Sequence, residues 1–187
     1  NSIINWFEIM RILQLHCDSI EYTPTKKEIK SAEEIIPETK RLEEVVVAFV
    51  AIEQGDDSSV AQNAISQIKN SMEKIGCKKL LLYPYAHLSS NLAAPSIALS
   101  LLKEMESSAS ELQVSHSPFG WTKSYKVQVK GHPLAESSKV VTKESTGEKN
   151  SSEEKEMTSD ALKGESKITS YWKILSPDGT LSNIGDF

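Results

Sequence analysis

Apolar residues gather into three runs along the first half of the chain, at residues 10–15, 45–52 and 80–83. The middle run, Val45, Val46, Val47, Ala48, Phe49, Val50, Ala51 and Ile52, is nearly unbroken and rich in β-branched residues. That pattern predicts a strand covered on both faces, hence the central strand of a sheet. Between the second and third runs, Asp56 and Asp57 precede Val60, Ala61, Ala64, Ile65, Ile68 and Met72 at helical spacing, and Gly76 follows. An N-cap, a one-sided apolar stripe and a closing glycine predict a helix that crosses from one strand to the next. Pro95 opens a second helix, with Ile97, Ala98, Leu101, Leu102 and Met105 on its apolar side, running to the serines near Ser107.

The period changes at residues 121–130, where Tyr125, Val127 and Val129 alternate with Lys126, Gln128 and Lys130. Period two is the mark of a half-exposed antiparallel strand. The predicted class is therefore α/β, a mixed β-sheet with two main helices. Residues 144–167 are dominated by Ser, Thr, Glu, Lys and Gly, too polar to bury the surface that ordering requires, and read as a flexible acidic linker. A strand over residues 168–175 and a tight turn at Pro177, Asp178, Gly179 and Thr180 then predict the start of a following, incomplete module at 168–187. Residues 10–143 form the domain proper, with Met10 the natural start. Residues 1–9 are an extension or an expression remnant, without the basic start of a signal peptide.

Residues 80–102 carry no charge and are long enough to span a bilayer, but Pro84, Pro95, His87, Asn91 and four serines interrupt them. No membrane association is expected. The 187 residues, 39% of them hydrophobic, supply one core, and two cysteines, Cys17 and Cys77, suit structural thiols in a reducing cytoplasm. The net charge of −5 argues against an overall cationic nucleic-acid binder until it is divided by region. Residues 10–143 hold sixteen basic and sixteen acidic side chains, whereas residues 144–187 hold five and nine. The acidity belongs to the tail. Within the domain, Lys123, Lys126, Lys130, Lys139 and Lys143 stand against Glu136 alone over residues 112–143, a footprint suited to a polyanion or simply a solvated lysine face.

Three polar stretches sit in apolar surroundings at strand ends, residues 83–90, 118–123 and 131–136. Open α/β sheets collect ligands in such loops. His87 reads as a general base or as a half-buried histidine satisfied by a carbonyl, and Lys123 with Glu136 reads as an ammonium with its orienting carboxylate or as a surface ion pair. His16 and Cys17 are neighbours, so on a strand they point to opposite faces and make a poor nucleophile–base pair. The four histidines, at 16, 87, 116 and 132, show no metal-binding spacing, so no metal and no cofactor are expected.

Met10, Arg11, Ile12 and Leu13 with His16, Cys17, Asp18 and Tyr22, then the stretch from Glu43 to Phe49, the YPYAHLSS run at residues 83–90, PFGW at 118–121 and KGHPLAE at 130–136 occur in colinear order. Together they resemble the N-terminal editing domain of archaeal threonyl-tRNA synthetase over residues 10–143, and residues 170–187 resemble its join to the next domain. The resemblance implies a D-aminoacyl-tRNA deacylase-like fold and a hydrolase that removes L-serine from threonine tRNA. It implies Lys123, His87 and Glu136 around the reacting ester, and an amino-acid moiety held by main chain near Ile52 and by Pro84, Tyr85 and Ala86, with Trp121 and Thr122 beside them. Thr122 stands where the family pattern suggests an aromatic residue. The implied partners are a tRNA acceptor end carrying serine and the remainder of the synthetase, and the fold allows a homodimer. A D-aminoacyl-tRNA deacylase and a non-catalytic tRNA-binding module are the alternatives.

Overall fold

A computed structural model describes residues 10–143 together with 173–175 and 181–183. The chain divides into two compact units, residues 1–147 and 148–187. In the first, β1 (Met10–Lys27), β2 (Lys40–Ala51), α1 (Ser58–Ile75), β3 (Lys79–Pro84), α2 (Pro95–Ser107), β4 (Gln113–His116), β5 (Trp121–Val129) and β6 (Glu136–Val141) follow in order. The strands form one mixed sheet in the order β4-β3-β2-β1-β5, with β6 also paired to β1. β2 is the middle strand, as its continuous apolar run predicts, and Val45 through Ala51 are all at most 3% exposed.

Both helices cover one face. Met10, Ile12, Val46, Ala48 and Val50 pack there against Val60, Ile65, Ile68 and Met72 of α1 and Leu101, Leu102 and Met105 of α2. α1 begins where expected because the Asp57 carboxylate accepts the backbone N–H of Ser59 and Val60, and it ends at Gly76, whose φ of 69° is left-handed. α2 spans the predicted residues, but Ile97 is 50% exposed rather than part of the apolar side. It lies one position before Ala98, and Ala98, Leu101, Leu102 and Met105 already fill the stripe facing the sheet.

The opposite face has no helix and is closed by the sheet itself. Leu15, Cys17, Ile20 and Tyr22 of β1 bury against Val45, Val47 and Phe49 of β2 and Leu81 and Tyr83 of β3. Tyr125 of β5 reaches the rings of both Phe49 and Tyr83, at 5.9 and 5.7 Å. In the strand order β1 and β2 lie between β5 and β3, so this contact requires a strongly curled sheet. Curling is helped by bulges in β1 opposite β5, where the register shifts between Cys17 and Ser19 and between Pro24 and Lys26.

Two differences from the sequence reading matter for function. β1 is 18 residues long rather than the six of its apolar run, because its first half pairs with β6 and its second half with β5 along the same edge. β4 and β6 have no apolar run of their own and exist through pairing with β3 and β1. In the second unit, β7 (Lys173–Leu175) and β8 (Leu181–Asn183) pair antiparallel, β7 falling within the expected strand; the expected turn, the linker and residues 1–9 lie outside the described residues.

Candidate active site

A cavity of about 450 Å³ opens where the C-terminal ends of β2 and β3 meet β5. Its walls come from Val50 and Ile52, the segment Pro84, Tyr85, Ala86 and His87, and the strip Phe119, Gly120, Trp121, Thr122 and Lys123, with Glu28 and Ile29 at one side. The size is that of a small-molecule pocket, mostly apolar with a few polar groups. Eight of the nine residues expected at a site therefore converge: Lys123, His87, Ile52, Pro84, Tyr85, Ala86, Trp121 and Thr122 all line it.

Glu136 does not. It opens β6 opposite Leu15 of β1, whereas Lys123 lies opposite Pro24, nine positions further along the same strand. At the strand rise this is roughly 30 Å, so within one chain Glu136 is not the orienting carboxylate of Lys123. Proximity in sequence misleads here because β5 and β6 run end to end along β1 rather than side by side.

The Lys123 nitrogen is held at 2.7 Å from the Pro118 carbonyl and 3.1 Å from the Trp121 carbonyl, and lies 4.9 Å from the centre of the Tyr83 ring. Burial lowers its pKa to about 8, with only the charge of Glu33 acting in the other direction. An amine and an ammonium can both donate two N–H groups to two carbonyls. The remaining tetrahedral position therefore carries either a lone pair or a third N–H, and the group changes role near neutral pH without losing its anchors.

His87 sits on a single 3-10 turn, residues 86–88, exposed at the rim with its ring against Tyr85 at 5.3 Å. Tyr85 belongs to an aromatic floor with Phe49, Tyr83 and Tyr125. Burial raises the pKa of Tyr83, and a hydrogen bond with Tyr85 raises that of Tyr125, so both phenols stay neutral. Thr122 points away from an aromatic role: its hydroxyl donates to Glu28 at 2.8 Å and its carbonyl accepts from Thr25, tying β5 to the end of β1.

A strap that no sequence motif marks, residues 28–39 between β1 and β2, closes one wall. The Glu33 carboxylate accepts the Phe119 N–H at 2.8 Å and faces His116 at 3.0 Å, while the Glu33 carbonyl accepts the Trp121 indole N–H at 2.8 Å. Gly120 is pinned beneath it. With φ of 77°, a β-carbon there would stand 2.7 Å from that of Ala32 and 2.8 Å from Ile29. Gly120→Ala is expected to cost about 2–3 kcal/mol, through left-handed strain plus the clash, and to lower the melting midpoint by roughly 5–10 °C. Gly131→Ala, with nothing within 4 Å, is the matched control expected to melt with the parent.

The basic run is mostly paired. Lys126 faces Glu21, Lys130 bonds Asp18 and Glu44, Lys143 faces Asp57, and Lys123 turns inward. Cys17 is fully buried with its thiol pushed up to about 11 by burial, and His16 turns from it to bond His132 at 2.8 Å, so the pair is no nucleophile–base couple. Among the described residues no group of three or more His, Cys, Asp or Glu is arranged to hold a metal, and no helix is long and apolar enough to cross a membrane.

The fold is thus a mixed α/β domain with a curled sheet, and its cavity beside the strand ends presents a partly desolvated amine over an aromatic floor. Residues 10–141 match the family model described as the archaea-specific editing domain of threonyl-tRNA synthetase. The chain belongs to that family. Its class of chemistry is accordingly aminoacyl-tRNA hydrolysis, and its curled mixed sheet with two helices agrees with the expected editing-domain fold. It is 83% identical over 179 residues to a threonine–tRNA ligase of Nitrosopumilus maritimus, covering 95% of this chain and 28% of that protein. The ligase of Cenarchaeum symbiosum is 53% identical over the same shares, and that of Methanosarcina mazei 40% identical over 95% and 30%. The chain thus spans under a third of the length of these relatives.

Proposed function

We propose that this domain hydrolyses L-serine from threonine tRNA, as the proofreading part of a cytoplasmic threonyl-tRNA synthetase whose remaining domains charge the tRNA. The observation that carries this reading is the Lys123 amine held at the wall of a pocket of aminoacyl size, in a chain of the editing family. The chemical need is plain. Serine lacks one methyl of threonine, and a missing methyl is worth only about 1–3 kcal/mol of discrimination, so a second, hydrolytic site must remove the error.

In the proposed reaction a water oxygen bonds to the ester carbonyl carbon, and the Lys123 ammonium donates its third N–H to the developing oxyanion. His87 at the rim orients that water. The carbon–O3′ bond then breaks, the 3′-oxygen takes the proton released by the water, and free serine leaves. The neighbouring 2′-hydroxyl of the terminal adenosine assists by holding the water in line. Main chain near Ile52 and at residues 84–86 holds the serine, and the threonine methyl finds no room there.

Side-by-side deacylation of seryl- and threonyl-tRNA specific for threonine tests this. Rapid loss of serine with threonine retained is expected. Equal loss of both overturns the size-selection reading, and cleavage restricted to D-aminoacyl esters assigns the domain to the chirality-selecting alternative.

A further inference from the structure

The pocket's amine is fixed by carbonyls of a loop, and that loop is itself held from outside the pocket. Residues 117–121 join β4 to β5. Three hydrogen bonds tie them to a single residue of the strap: Phe119 N–H to the Glu33 carboxylate at 2.8 Å, Trp121 indole N–H to the Glu33 carbonyl at 2.8 Å, and Glu33 N–H to the Phe119 carbonyl at 3.2 Å. The two carbonyls that receive the Lys123 nitrogen, those of Pro118 and Trp121, flank this same Phe119. The Glu33 side chain is 17% exposed and is itself braced by His116 at 3.0 Å and Lys103 at 3.6 Å, with Glu106 holding the other nitrogen of His116 at 2.6 Å.

We infer that Glu33 is a positioning residue for the active site: through the 117–121 loop it fixes where the Lys123 nitrogen sits. Its carboxylate is also the charge that opposes the effect of burial on that nitrogen. This rests on the reading of Lys123 as the group that acts on the ester. Burial alone would push the Glu33 carboxyl up, but the Phe119 N–H and His116 more than offset it and hold the group below the usual carboxylate range, so it stays anionic where the domain works. The other ionisable groups lining the cavity with Lys123 are Tyr83 of β3, Tyr85, Tyr125 of β5, Glu28 of the strap and His87 of the rim turn. Glu33 lies outside that cavity wall, which is why neither position nor sequence motif marks it as functional.

Glu33→Gln keeps an oxygen for the Phe119 N–H and removes the charge. The test follows the Lys123 side-chain signal by NMR against pH in the lysine-labelled 187-residue chain, the signal being assigned by its loss in Lys123→Met. In Glu33→Gln the half-titration point is expected to fall by about half a pH unit or more, a roughly threefold change in the ratio of amine to ammonium at a given pH. The alkaline fall of seryl-tRNA deacylation should move with it. Glu33→Asp restores the charge on a shorter arm, so it returns the titration toward the parent value, whereas a merely structural role would leave it as perturbed as the glutamine variant. A half-titration point unchanged in a folded Glu33→Gln chain overturns the inference. If the point falls but the parent chain deacylates nothing, Glu33 keeps its assignment and the proposed reaction is what fails.

Discussion

Lys123→Met is expected to slow deacylation of seryl-tRNA by about a hundred- to a thousandfold, the loss typical of removing one preorganised donor to an oxyanion. The fold should survive. Lys123 lies half-buried over the Tyr83 ring, and methionine preserves the length and apolar character of its stem while dispensing with a poorly solvated charge. What is lost is the donor to the Pro118 and Trp121 carbonyls, at about 1 kcal/mol each. The same substitution has a second signature. Because the folded chain holds Lys123 at about 8 against 10.5 for a free lysine, the unfolded chain binds more protons between those values. The parent therefore gains stability from this position as pH rises from about 8 to 10.5 and has least of it below 8. Lys123→Met should lack that slope in melts run across the range. Full turnover in a folded Lys123→Met protein would remove the ammonium from the mechanism.

A seryl-tRNA ending in 2′-deoxyadenosine is expected to be cleaved at least about a hundredfold more slowly than the ribose form, since the missing hydroxyl is a group held in place at no further entropic cost. The pocket itself favours this outcome. The ionisable side chains that line it are a lysine, an exposed histidine, one glutamate and three tyrosines, and the thiol of Cys17 is buried in the core beneath. Such walls position and polarise more than they attack. Single-turnover hydrolysis of the two substrates, matched for binding, measures the difference. Equal rates would mean that protein groups alone orient the water, and His87 would then carry the whole of that task.

Much of the frame was legible before any coordinates. The unbroken run from Val45 to Ile52 identifies a doubly covered strand, because only burial on both faces tolerates apolar side chains at every position. Asp57 and Pro95 fix helix starts by satisfying or dispensing with terminal N–H groups, and Gly76 fixes an end by donating its N–H to terminal carbonyls; these are local bonds that a short sequence window contains. The same locality hid β4 and β6, whose residues alternate weakly and become strands only by pairing with β3 and β1.

For the site, the sequence determined the chemical parts: an amine at Lys123, an imidazole at His87, and a polar break in an apolar stretch at residues 83–90 where a ligand could enter. Tertiary structure decided how those parts combine. It brought Lys123 and His87 to one cavity, and it set Glu136 some 30 Å away along β1 although only thirteen residues separate it from Lys123. It also set carboxylates beside Lys126 and Lys130 and introduced Glu33 from a strap ninety residues upstream of the amine it serves. The division has one physical cause. Caps, periods and turns depend on neighbours in the chain, whereas charge state and catalytic geometry depend on neighbours in space, and here a curled sheet with two bulges in its longest strand chooses those.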